Sequence, residues 1–359
     1  MGTQDNWSIR PYREGDEGKI FELQKAVHPE RQNESERWFK WWHWKYKEVP
    51  CGIRTWLAED NGKILAQLSA IIMNLKVGND IIKAAQFMDS VTHPDYRRQG
   101  IITTLTRNLQ YELKQNGVHI LYGFPNALSY QINKKLGAFD IAAMHKMIKV
   151  FKWESALRKR ISNQFLLKLC AMVGNLLNNT FLRVSRAPAV SGLSISKVSC
   201  FDERINEFWD RVSKQFKIIF ERRKDYLNWR FSAVPDVNYS MYVAKKAGMI
   251  LGYLVMRCRQ DGCPKTAAIY DLLAESEEVA QCLLHTVVEY CRRDGMDYVY
   301  WVGIANKTYL GAFRKRGFIS IPFRKKGEFY IYSSSPNISG EFLRNPQNWL
   351  VQTGDSDHL

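Results

Sequence analysis

Ser90-Val91-Thr92-His93-Pro94-Asp95-Tyr96-Arg97-Arg98-Gln99-Gly100-Ile101-Ile102 reads as a strand end, a basic turn, one glycine and a helix start. That is the anatomy of an anion cradle. The first amides of a helix have no intrahelical partner and the positive end of its dipole points outward, so an anion placed there is stabilised. Gly100 lets a ligand approach the backbone closely, and Arg97 and Arg98 add fixed charge suited to a pyrophosphate. Gln99, Ile101 and Ile102 complete the turn, while Thr103 and Thr104 bring hydroxyls into the first helical turn. The ligand implied is a phosphorylated cofactor. Taken alone, R-x-x-G is frequent by chance and reads equally as an Arg-rich turn capping a helix. The rest of the chain decides between the two.

With 359 residues the chain is long enough for two domains, each burying its own core. The net charge of +16 favours anionic partners: phosphorylated cofactors, nucleotide-linked substrates, nucleic acid or an acidic membrane surface. The basic residues are spread along the whole chain and no helix shows a compact base-reading set, so a specific nucleic-acid partner is not expected. Seven scattered cysteines without a C-x-x-C pair indicate neither a disulfide framework nor a zinc site, and no metal is expected. A reducing cytoplasm fits them. The polar start Met1 to Asn6 lacks the apolar core of a secretory signal. Phe165 to Leu182 is apolar but interrupted by Lys168, Asn175, Asn178 and Asn179, and it is too short to span a bilayer comfortably. Packing between domains is its first reading and peripheral contact with a membrane surface its second.

Two stretches share one plan. Trp44-Lys45-Tyr46 is echoed by Trp229-Arg230-Phe231. A hairpin follows each, Trp56 to Asp60 turning at Asn61-Gly62 into Ile64 to Met73, and Tyr239 to Lys245 turning near Gly248 into Ile250 to Cys258. A further strand ends at Asp89 or Asp271, then come a helix (Ile101 to Gln115; Glu277 to Arg293) and a strand (Ile120 to Phe124; Tyr298 to Val302). Asn126 and Asn306 come next, with Gly137 and Gly317 the same distance beyond them and the aromatics Phe139 and Phe318 after those. Matched offsets of this kind argue for an internal duplication. Alignment from the two aspartates sets Arg97 opposite Val279, Arg98 opposite Ala280 and Gly100 opposite Cys282, and puts Glu275-Ser276-Glu277-Glu278 beside them. The second copy has lost its cradle, so one cofactor site per chain is expected.

The spacing of Arg97, Gly100 and Ile102 resembles the coenzyme A loop of the GNAT acyltransferase superfamily, written [R/Q]-x-x-G-x-[G/A], with Ile102 departing at the last position. Trp42-His43-Trp44-Lys45-Tyr46, His93 to Ile101, Gly123-Phe124-Pro125-Asn126 and Trp229-Arg230-Phe231 together resemble uncharacterised tandem GNAT-family N-acetyltransferases encoded among cell-surface polysaccharide genes. The fold class implied is α/β (α+β): two tandem GNAT-like domains, each a mixed, mostly antiparallel sheet flanked by helices. The boundaries read as an N-terminal domain over 1–151, a helical connector over 152–190, a degenerate C-terminal domain over 191–335 and a tail over 336–359.

The resemblance also implies roles. The acyl thioester of acetyl-coenzyme A would lie along Ser90, Val91 and Thr92, where one backbone amide stabilises the oxyanion, an effect worth about 3 kcal/mol. Asn126 would contact the cofactor, or else cap the helix after it. The tyrosine acid usual in the superfamily is replaced by Asn133, which leaves Tyr130 as the candidate acid. Asp89 and His93 are the candidate bases, against a structural role for Asp89 and a turn-capping role for His93. Trp38, Trp41 and Trp42 fall on one helix face and are expected to pack in the core. The C-terminal residues Asp355 and Asp357 read either as a solvated tail or as acidic groups carried into a cleft. The expected function is acetyl transfer to an amine of a small molecule such as an amino sugar. A non-catalytic coenzyme A-binding sensor or scaffold on the same fold is the alternative.

Overall fold

Asn61 and Gly62 both adopt positive φ (46° and 80°), as a two-residue hairpin turn demands, and the apolar runs on either side pair across them. The computed structural model describes residues 7–357 apart from 126, 143, 159–160, 185–187, 262, 323–328, 334 and 336. The first half runs β1 (Ser8–Pro11), α1 (Glu17–Val27), α2 (Ser35–Trp42), β2 (Ile53–Asp60), β3 (Lys63–Val77), β4 (Asp80–Thr92), α3 (Ile101–Gln115), β5 (Ile120–Gly123), α4 (Ala127–Lys135), β6 (Phe139–Asp140) and β7 (His145–Val150). The helices α5 (Trp153–Leu157) and α6 (Gln164–Val184) follow. The second half runs β8 (Leu193–Val198), α7 (Arg204–Val212), β9 (Ile218–Phe220), α8 (Lys224–Leu227), β10 (Ser240–Lys246), β11 (Met249–Arg259), β12 (Thr266–Ala274), α9 (Glu277–Arg293), β13 (Tyr298–Ile304), α10 (Lys307–Lys315), β14 (Ile319–Pro322), β15 (Tyr330–Ser333), α11 (Gly340–Arg344) and β16 (Trp349–Gln352).

The chain forms two compact units, neither of them contiguous. The first is Met1–Ala142, Ala233–Pro235 and Gly327–Arg344, and the second is Ala143–Ser232, Asp236–Lys326 and Asn345–Leu359. The sheet of the first unit has the order β1-β2-β3-β4-β5-β15-β6, antiparallel except for the β4/β5 pair. That of the second has the order β8-β10-β11-β12-β13-β7-β14, antiparallel except for β12/β13. The orders match position by position, with β15 standing in one sheet where β7 stands in the other. This corrects the boundaries at 151 and 335: β7, from the first half of the sequence, belongs to the second unit, and β15, from the second half, belongs to the first. Alternation shows that a strand is half-buried but carries no information about which neighbour it meets.

Local signals set the helices. Ile101, Leu105, Leu109 and Leu113 give α3 a buried stripe that packs on Leu68, Ala70, Ile72, Ala85 and Leu121. Each fully buried Leu contributes about 1.5–3 kcal/mol. On the opposite sheet face Ile20 and Leu23 of α1 and Trp42 of α2 pack against Leu57 and Ile64. Helices α4 and α10 end alike: Gly137 (φ 92°) and Gly317 (φ 76°) take the left-handed conformation, and the next amide, of Ala138 or Phe318, returns to the carbonyl of Asn133 or Phe313. The aligned glycines are therefore helix terminators.

Candidate functional site

The turn before α3 is open. Arg97, Arg98, Gln99 and Gly100 are exposed, and Arg98 (φ 67°) and Gly100 (φ 79°) both take left-handed backbone. Gly100 caps α3 without a side chain, and a Cβ there would meet no atom of the described residues within 4 Å, so glycine serves the φ angle. Ile101 is buried in the α3 core, whereas Ile102, Thr103 and Thr104 are half-buried. The Thr104 hydroxyl donates back to the Gly100 carbonyl at 3.3 Å.

Beside this turn two parallel strands part. The β4/β5 register covers only Ala84–Gln86 against Ile120–Tyr122, while β4 continues to Thr92. A bulge helps: pairing passes from Ser69 opposite Met88 to Gln67 opposite Val91, and Asp89 sits in the irregularity at φ 49°. Ser90, Val91 and Thr92 therefore lie on a strand held by β3 on one side and, among the described residues, without a β5 partner on the other.

A cavity of about 460 Å³ opens on the α1/α2 face, lined by both helices, the turn after α2, Gln67, Asp89 and Val91. The turn, His43–Lys47, is π-helical and places Lys45 and Tyr46 over the bulge. Tyr46 stacks on Trp42 with ring centroids 3.6 Å apart and planes 8° from parallel. Its hydroxyl donates to Asp89 Oδ2 at 2.6 Å, and Lys45 Nζ lies 3.1 and 3.0 Å from the two Asp89 oxygens. Gln67 Nε2 donates to the Tyr46 oxygen at 2.6 Å. Burial opposes charge on Asp89, but the Lys45 ammonium and the Tyr46 hydroxyl outweigh it and hold the carboxyl below its ordinary range. Burial, then the Asp89 charge, pushes the Tyr46 phenol well up. Three buried polar atoms on this lining, Trp41 Nε1, Trp42 Nε1 and Gln67 Oε1, have no hydrogen-bond partner among the described residues.

The sequence candidates fall in different places. Asp89 lines the cavity. His93 is built into the turn: Nδ1 accepts from the Asp95 amide at 3.4 Å, Nε2 lies 3.4 Å from Lys63 Nζ, and burial and the Lys63 charge lower its pKa. The Tyr130 hydroxyl donates to Asp140 Oδ2 at 2.7 Å, which raises its pKa. Asn126 lies outside the described residues, while its counterpart Asn306 caps α10 by accepting from the Tyr309 amide at 2.9 Å. Trp42 is buried as expected, but Trp38 and Trp41 are half-buried and form cavity wall. Sequence reasoning missed Lys45, Tyr46 and Gln67 as partners of Asp89; the Trp-Lys-Tyr and Trp-Arg-Phe echo was the signal available, since both triplets form π-helical turns.

The corresponding place in the second unit is filled. Pairing of β12 with β13 covers Thr266–Ile269 against Tyr298–Trp301, and β16 meets β13 beyond it, Gln352 opposite Gly303. A Cβ on Gly303 would lie 2.3 Å from the Val351 carbonyl, so only glycine admits this strand. The side-chain oxygen of Gln352 accepts from the Leu272 amide at 3.0 Å and the Trp301 indole at 2.9 Å, and its nitrogen donates to Asp271 at 2.6 Å. Arg222, wholly buried, lies 2.7 Å from both Asp271 and Asp355. Asp355 is thus an interior group of the second unit, which corrects the reading as a solvated tail.

Residues 8–142 match the family described as Acetyltransferase (GNAT) domain. No curated protein matches the chain. Among solved structures it is similar to a conserved protein of unknown function, "Probable N-Acyltransferase", from Enterococcus faecalis V583, with TM-score 0.65 and 12% identity over 90% of this chain and 72% of that one. A GCN5-related N-acetyltransferase from Anabaena variabilis ATCC 29413 gives 0.63 and 12% over 90% and 72%. Another from Kribbella flavida gives 0.57 and 12% over 91% and 69%. Residues 8–142 thus match a GNAT acetyltransferase domain, and the whole chain carries the mixed α/β fold, sheets flanked by helices, of these structures.

Proposed function

We propose that the chain is an acyl-coenzyme A-dependent N-acyltransferase, transferring acetyl from acetyl-coenzyme A to an amine of a small molecule such as an amino sugar, in the cytoplasm. The observation that carries the reading is the open turn at Gly100 beside the parted β4 and β5. Arg97, Arg98, Gln99 and the amides of Ile101, Ile102 and Thr103 would hold the pyrophosphate, and Ser90, Val91 and Thr92 would hold the arm that follows it. The cofactor supplies an activated acyl thioester. Asn126 is a further candidate contact.

The cavity suits a hydroxylated ring. Trp38 and Trp41 offer flat apolar wall, two indole N–H groups and the Gln67 carbonyl stand ready for polar partners, and unpaired buried polar groups of this kind cost about 1–3 kcal/mol each until a ligand satisfies them. Asp89, held ionised, binds the acceptor's ammonium and keeps it at the mouth of the parted strands. A carboxyl with a lowered pKa is a poor base, so positioning is its main task. Tyr130 is the candidate acid, acting when its bond to Asp140 opens, and His93 serves the turn.

Calorimetric titration with acetyl-coenzyme A tests the reading. One site per chain is expected, weakened at least tenfold by Gly100→Asp, which adds both a left-handed strain and a negative charge. Two sites, or an unchanged variant, refute it. The commitment of Asp89, Tyr130 and His93 to protein partners favours a second reading, a coenzyme A sensor. Stoichiometric binding with no acetylation of any amine in an amino-sugar panel would establish that one.

A further inference from the structure

α6 carries apolar residues on two faces, and only one of them is covered by described residues. Leu167, Ala171 and Gly174 form the inner face. A Cβ on Gly174 would lie 2.5 Å from the Trp153 indole, so the α5 ring rests directly on the α6 backbone. Phe165, Leu166, Leu169, Met172, Val173 and Leu176 recur at helical spacing on the other side and are exposed, Phe165 by 79% and Met172 by 55%. Solvent contact over such a stripe forgoes roughly 25 cal/mol for each Å² left wet. The inner face thus packs on α5 of the same unit, and the outer stripe is left exposed.

Charge selects the occupant. Lys168 stands among the exposed apolar residues with no ion-pair partner among the described residues. In the sequence from 152 to 187, Lys152, Arg158, Lys159, Arg160, Lys168, Arg183 and Arg186 face a single acid, Glu154. Two copies docked through this stripe would bring like charge together, as would a basic partner. No described helix is long and apolar enough to cross a membrane. An apolar stripe with flanking cations matches the boundary of an anionic bilayer, where the apolar face enters the acyl region and Lys and Arg meet the headgroups. We propose that α6 lays this face on an anionic lipid surface, docking the protein peripherally.

Co-sedimentation of the full chain with phosphatidylcholine vesicles, with and without phosphatidylglycerol, tests the proposal. Binding is expected to the anionic vesicles alone, to fall with added salt, and to drop at least tenfold in Phe165→Glu/Met172→Glu. Both side chains are exposed, so the variant's melting temperature and acetyl-coenzyme A binding should match the parent's. Absence of binding to anionic vesicles, or equal binding by the variant, overturns the proposal. A dimer that the same substitutions dissociate, without vesicle binding, overturns it in favour of a second copy of the chain.

Discussion

Asp89 and Asp271 hold corresponding places at a register shift three residues before the end of a central strand, and their surroundings are opposite. Asp89 is half-buried at the edge of a 460 Å³ cavity, held by Lys45 and Tyr46 from a π-helical turn. Asp271 is 1% exposed, gripped by Arg222 and Gln352. In the first unit the strands part beside an open basic turn. In the second, β16 enters where they part, and α9 begins with Ser276 capping it, its hydroxyl accepting from the Val279 amide. The difference teaches that a parted strand pair demands hydrogen-bond partners and that a chain can supply them itself. Gln352 of β16 does so with one side chain, accepting from the Leu272 amide. The first unit keeps its cavity open, and the second is closed by β16.

The largest test of that comparison is truncation. Residues 1–151 expressed alone lack β15, which stands between β5 and β6, so β6 loses its partner and β5 keeps only its short pairing with β4. We expect no cooperative thermal transition from that fragment, and a sharp one would break the two-unit description. A smaller effect separates the two aspartates. Arg222→Met strands two buried carboxylates and should cost about 3–5 kcal/mol in denaturant unfolding. Lys45→Met leaves Asp89 with Tyr46 and partial access to water and should cost about 1 kcal/mol. Equal costs would mean that the two sites are equally closed.

The smallest effect is a pH dependence. The pKa of Asp89 in the folded chain is lowered from its ordinary 3.8, so its contribution is complete above that value and disappears as pH falls through the folded value. The stability difference between the parent and Asp89→Asn should therefore be constant from pH 8 to about pH 5 and shrink below about pH 4. A difference that grew on acidification would reverse the assigned sign.

Much of the first unit was legible in the sequence. The span of α3 matches the apolar spacing of Ile101, Leu105, Leu109 and Leu113, and Asn61-Gly62 marked the hairpin. The turn before α3 was legible because a helix start, a glycine and two arginines stand within a few residues. The cavity was less so: Trp38 and Trp41 share the helical spacing of a core face, and pattern alone does not separate core from cavity wall. Arg222 looked like any charged residue, since nothing local distinguishes an arginine destined for the interior.

By itself the sequence determined the elements, their repeated order and the open basic turn before α3, because propensity, turn chemistry and helix ends are decided by residues a few positions apart. Only the tertiary structure decided that β7 and β15 stand in each other's sheets, that Lys45 faces Asp89, and that β16 closes the second unit. Each of these is a pairing between segments far apart in the chain. Backbone hydrogen bonds are the same for every partner, so such a choice is made by which edge remains unpaired once the rest has folded.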